Sequence, residues 1–133
     1  MKLFANSVVE FNRNVLGIQE RKKSLLPTPE LNQTTKCLRE EVDEFEKAHS
    51  HGDFVESVDA LMDLMYFAIG GLYRMGLSPE EMDACWKAVH DCNMNKQIGI
   101  VPRRGDGSSP DAVKPDGWKG PEEKIAEILG GTL

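Results

Sequence analysis

The sequence predicts an all-α fold: an antiparallel helical bundle that oligomerises, with a long C-terminal loop and a short terminal helix. Three observations predict it. Apolar residues recur at three- and four-residue steps through most of residues 1–96. Proline and hydroxyl cap signals precede these runs, and glycines follow them. No stretch alternates apolar and polar residues over several turns, as a half-buried strand would.

The first helix is expected over about residues 3–19, where Phe4, Val8, Phe11, Val15 and Ile18 make one stripe. The second starts at Thr28-Pro29, a capping hydroxyl followed by a proline whose missing N–H costs nothing there. Its core stripe is Leu31, Leu38, Val42 and Phe45, and Gly52 is the expected stop. The third is expected over 54–75, closed by Gly76, with Gly70-Gly71 allowing close packing or a bend. The fourth opens at Ser78-Pro79, where Glu81 completes a capping box; Met82, Cys85, Trp86 and Val89 are expected to face inward. Residues 97–120 are rich in Gly, Pro and Asp and read as a loop, with a short strand at 98–101. A last helix is expected over 121–130. All of this fits one domain, 1–133, with its core over about 28–96.

Composition narrows the function classes. Net charge is −6, which disfavours a nucleic-acid polymer as partner. Acids at Glu56, Asp59 and Asp63 interrupt the longest apolar run, so no membrane partner is expected. No basic segment leads into an apolar one at the N-terminus, and the three cysteines lack metal-type spacing, so a cytoplasmic location with reduced thiols is expected.

The acids carry the chemistry. Glu56, Asp59 and Asp63 fall within about 60° of one another on the third helix. Nearly every other position there is apolar or small, so the helix is expected to be buried and its acidic stripe to lie in a cleft. No Lys or Arg between Lys47 and Arg74 can neutralise the stripe. Crowded carboxylates repel, and desolvation worsens it; a hard divalent cation resolves both. On the second helix Glu41 borders the buried stripe, Glu44 lies one step further out, and Glu40 points toward solvent. An antiparallel hairpin would bring Glu41 and Glu44 to face Glu56 and Asp59. A solvated acidic face is the plain alternative.

These blocks resemble the all-α nucleoside triphosphate pyrophosphohydrolases. "EEVDE" followed by "ESVD" looks like the superfamily's EExxE…ExxD signature. "DALMDLMYFAIGGLYRMG", "VHDCNMNK" and "AVKPDGWKGPE" resemble its MazG-like, phosphoribosyl-ATP pyrophosphohydrolase-like branch. The resemblance implies hydrolysis of a nucleotide between its α- and β-phosphates, with Mg²⁺ as cofactor and Mn²⁺ a possible substitute. It implies Glu41, Glu44, Glu56 and Asp59 or Asp63 as metal ligands, and Glu40 or Glu44 as acceptor of the water's proton. Asn93 and Lys96 would contact phosphates, with Lys36, Lys114 and Arg103 or Arg104 as weaker candidates. The base would stack on Tyr66 or Trp118. The expected partners are a nucleotide and a second copy of the chain, as a homodimer or homotetramer.

Two other classes are compatible with parts of the sequence. The ExxH pair Glu46/His49 suggests a di-iron carboxylate bundle, but only one such pair is present. A non-catalytic helical module for metal or nucleotide binding, or for assembly, is the other. His49, His51 and His90 read as surface or capping residues.

Overall fold

A computed structural model describes residues 1–104 and 110–130. Its order is α1 (Lys2–Asn14), α2 (Thr28–Ser50), α3 (Phe54–Arg74), α4 (Pro79–Asn93), β1 (Gln97–Gly99), a 3-10 turn (Pro102–Arg104), β2 (Asp111–Val113) and α5 (Glu122–Ile128). The chain is mostly helical, as the all-α class requires. No helix among the described residues is long and apolar enough to cross a membrane. Two compact units are present, Met1–Met82 and Asp83–Leu133.

In the first unit α3 is the central element, packed against α2 along most of its length and against α1. Gly70 and Gly71, both buried, lie at these contacts. A Cβ on Gly70 would lie 3.6 Å from Asn12 Nδ2 and 3.8 Å from Val8 Cγ1, on α1. A Cβ on Gly71 would lie 3.6 Å from Thr34 Cγ2, on α2. A Cβ at either position would make only ordinary van der Waals contact, so the two glycines mark where α1 and α2 pack on α3 rather than a spacing that excludes a side-chain methyl.

The link between α2 and α3 is short. Gly52 takes φ 67°, and the Asp53 carboxylate caps α3 by accepting the Glu56 N–H at 3.0 Å. Residues 15–27 wrap the far end of α3. The Tyr73 hydroxyl donates to the Ile18 carbonyl at 2.8 Å, and Glu30 joins Arg21 (2.6 and 2.8 Å) to Arg74 (3.0 Å). The Ser78/Glu81 capping box forms as expected, with reciprocal bonds of 3.0 and 3.1 Å.

Several expectations need correction. Helix α1 stops at Asn14, because Gly17 turns at φ 70° and the Ile18 N–H bonds back to the Asn12 carbonyl. Val15 is thus exposed in a loop, and Ala5, Val8 and Asn12 are the buried residues of α1. Thr28 is the first residue of α2 rather than its cap, and its side chain makes no capping bond. The buried line of α2 is rotated from the expected one: Leu31 and Val42 are exposed, whereas Glu41 and Ala48 are buried. Helix α3 is not buried all round. Phe54, Val55, Val58, Leu61 and Met62 are exposed, because α1 and α2 cover only two of its sides.

In the second unit Trp86 is 55% exposed rather than inward-facing. The expected strand at 98–101 is β1, shifted to Gln97–Gly99, and it pairs antiparallel with β2, which sequence patterning did not reveal. Three-residue strands are too short to show alternation.

Candidate functional site

Glu41 and Glu44 of α2 interact with Asp59 and Asp63 of α3, where the two helices pack. Glu41 is the one buried acid, at 8% exposure, on the face of α2 that packs against α3. Its Oε2 is buried without a hydrogen-bond partner. Burial pushes the Glu41 carboxyl up to about 7; the charge and hydrogen bond of Glu44, then the charges of Asp63 and Asp59, push the same way. Asp63 is also raised, by burial and by the charges of Asp59 and Glu44. Glu41, Glu44, Asp59 and Asp63 therefore form one interacting set. Both Asp63 and Asp59 act on Glu41 from α3.

Glu56 stands at the hairpin end of the groove between α2 and α3. With Glu44, Lys47, Ala48, His51 and Asp53 it lines a cleft of about 310 Å³. Lys47 supplies positive charge on its wall. Glu40 is exposed, as its helical phase required. Among the described residues, no group of three or more His, Cys, Asp or Glu side chains stands in an arrangement that could hold a metal ion. The donor set nevertheless fits a hard cation in kind: oxygen ligands only, a carboxylate oxygen with no partner, and mutual repulsion for a positive charge to relieve.

Toward the C-terminal end of α3 lies a cavity of about 230 Å³. Phe11, Tyr66 and Phe67 form apolar walls, with Asn12, Gln33, Thr34, Cys37 and Arg74 around them. Tyr66 lies one helical turn beyond Asp63, and Cys37 one turn before Glu41, so cavity and acids share one face of the α2–α3 pair. Phe11 and Tyr66 stack edge to face at 5.5 Å. Of this lining, the sequence pointed only to Tyr66. Buried Asn12 was detectable in principle, because it falls four residues after Val8 on the apolar face of α1.

The second unit gathers three of the expected substrate-binding residues. Lys96 and Lys114 place their ammonium groups 5.1 and 5.0 Å from the Trp118 ring centroid. The Trp118 indole N–H donates to the Cys92 carbonyl at 2.8 Å, which fixes the ring. Trp118 thus serves as a platform for two lysines. Arg104 binds both Asp111 oxygens at 2.9 Å. Lys36, Asn93 and Arg103 are exposed. The three histidines are exposed, and His51 Nδ1 lies 2.8 Å from the Lys47 carbonyl, near the α2 terminus.

The family model described as phosphoribosyl-ATP pyrophosphohydrolase matches residues 8–93, which span α1 to α4 and therefore the whole acidic groove and its cavity. No curated protein matches the chain.

Proposed function

Because the chain belongs to the phosphoribosyl-ATP pyrophosphohydrolase family, we propose that it cleaves the α–β phosphoanhydride of a (d)NTP or related nucleotide, giving a nucleoside monophosphate and pyrophosphate. The observation that carries this is Glu41: a buried carboxylate with an unpartnered oxygen, among three further acids.

Glu41, Glu44, Asp59 and Asp63 would hold divalent cations, with Glu56 at the hairpin end of the groove. Mg²⁺ bound there, or Mn²⁺ in its stead, would supply the positive charge that offsets both the carboxylates and the incoming polyphosphate. The chain's own groups do the rest. Glu44 or Glu40 accepts a proton from water as its oxygen bonds to phosphorus and the bridging P–O bond breaks. Glu41, its carboxyl pushed up to about 7, is partly protonated at neutral pH while metal-free, which lessens the negative charge of the groove. The nucleoside enters the cavity beside Tyr66, where an aromatic face and polar side chains suit a flat heterocycle. In the second unit, Lys96 and Lys114 carry cationic groups of a kind that binds phosphate oxygens.

The test is pyrophosphate release from a panel of canonical and modified dNTPs, NTPs and phosphoribosyl-ATP, with Mg²⁺ or Mn²⁺ and product identification. Turnover of at least one nucleotide is expected, and Glu41→Gln or Glu56→Gln should abolish it while leaving helicity intact. Thermal stabilisation by Mg²⁺ with no turnover of any nucleotide would favour the non-catalytic module instead.

A further inference from the structure

Asn12 is the buried polar residue in the wall of the cavity beside Tyr66, at 4% exposure. Its Nδ2 donates to the Val8 carbonyl, one turn back on α1, at 2.9 Å. That bond fixes which way the amide points. A carbonyl oxygen only accepts, so Nδ2 must face it; the reversed amide would set oxygen against oxygen. Gly70 of α3 packs on the same nitrogen, where an added Cβ would lie 3.6 Å from it. The bond to Val8 is the one hydrogen bond of the Asn12 side chain among the described residues. Oδ1 is therefore unpartnered, yet it is not sealed in the core: the fully buried side-chain atom that lacks a partner is Glu41 Oε2. The cavity that Asn12 lines is where Oδ1 can meet a ligand.

The other polar groups of the lining do not impose a polarity of their own. The Gln33 amide and the Thr34 hydroxyl, exposed and half-buried, turn to suit a donor or an acceptor. Arg74, the charged residue of the lining, is held by Glu30 at 3.0 Å. Asn12 alone is locked by the fold, and it is locked as an acceptor.

We propose that Asn12 determines base specificity: its Oδ1 accepts from the exocyclic amino group of the base, so that adenine and cytosine nucleotides are preferred to their keto counterparts, those of hypoxanthine and uracil. This rests on the reading that the nucleoside occupies the cavity. An amino group donates to Oδ1. A keto oxygen at the same ring position would press two acceptors together in a nearly dry wall, with no proton between them. A site that hydrogen-bonds its substrate rejects an analogue lacking that donor more strongly than an apolar pocket rejects a change of shape.

The test compares dCTP with dUTP and dATP with dITP in two readouts. One is kcat/KM for pyrophosphate release. The other is calorimetric affinity, with Mg²⁺, for the α,β-imido analogues of dCTP and dUTP, which bind without being cleaved. The wild type should favour the amino member by about tenfold or more, and the ratio should fall below about threefold in Asn12→Leu. A residue that only holds α1 against α3 would weaken both members together and leave the ratio unchanged. Equal treatment of the pairs by the wild type, or a keto preference, overturns the proposal, as does an unchanged ratio in Asn12→Leu. If circular dichroism shows that Asn12→Leu has lost helicity, Asn12→Ala is read in its place, and the wild-type ratio decides in either case. Amino-selective binding without turnover would uphold Asn12 and remove the pyrophosphohydrolase reading. Turnover without base selectivity would do the reverse, and neither binding nor turnover would remove both.

Discussion

Asp63 of α3 stands across the groove from Glu41 of α2, and its negative charge helps hold the Glu41 carboxyl above its ordinary range. Among the described residues neither has an ion-pair partner. Two unneutralised acids in a half-dry groove cost stability when the groove is empty.

The first prediction follows from that cost. The Glu41 pKa is about 7 in the folded chain against 4.5 for an ordinary glutamate. Between these values the folded state holds the extra proton, so folding is favoured as pH falls from about 7 toward 4.5, and the penalty is complete above 7. In EDTA, Glu41→Gln should raise the melting temperature at pH 8, by an amount corresponding to about 1–3 kcal/mol, and little at pH 5. Equal wild-type and variant melting curves at pH 8 would show that the buried charge carries no penalty.

Divalent cations should reverse the order. Millimolar Mg²⁺ or Mn²⁺ should raise the wild-type melting temperature, since a ligand that binds only the folded state stabilises it. The gain should shrink in Glu41→Gln and in Asp63→Asn. Equal gains in all three proteins would place the cation elsewhere.

Tyr66 should govern substrate affinity more than turnover. Tyr66→Ala enlarges the cavity and removes its aromatic face, so KM is expected to rise about tenfold, roughly 1.4 kcal/mol of lost binding, with a smaller change in kcat. Steady-state kinetics on the best nucleotide of the panel would check it. A fall in kcat at constant KM would separate Tyr66 from substrate binding.

Gly76 is required twice over. It takes φ 94°, and an added Cβ would lie 2.8 Å from the Arg21 carbonyl oxygen and from backbone atoms of Lys22. Gly76→Ala should therefore cost about 1–3 kcal/mol in urea unfolding. A loss under about 0.5 kcal/mol would mean that the 21–22 backbone yields freely.

Glu30 gives the opposite pH dependence to Glu41. The Arg21 hydrogen bonds, and then the charges of Arg21 and Arg74, hold its carboxylate below the usual range. Its stabilisation is present at neutral pH and is lost as pH falls below the ordinary glutamate value and through its own lower one. Glu30→Gln should lower stability at pH 7 by about 1 kcal/mol and converge with the wild type in strong acid. A constant difference across pH would point to packing rather than charge.

The sequence by itself determined where α2, α3 and α4 are punctuated and that the acids of α3 lie on one helix face. Local chemistry sets those features: Gly52 and Gly76 reach positive φ cheaply, the Ser78/Glu81 box closes within four residues, and the spacing of Glu56, Asp59 and Asp63 fixes them to one helix face. The acidic blocks were legible because acids are conspicuous in an apolar helix. Tertiary structure alone decided which acid is buried, which apolar residues are not, and that a cavity adjoins the acids. Leu31 and Glu41 show why. Helical phase ranks positions relative to one another, but how α2 rolls against α3 is set by packing between residues far apart in sequence, and that roll buries Glu41 while leaving Leu31 in solvent.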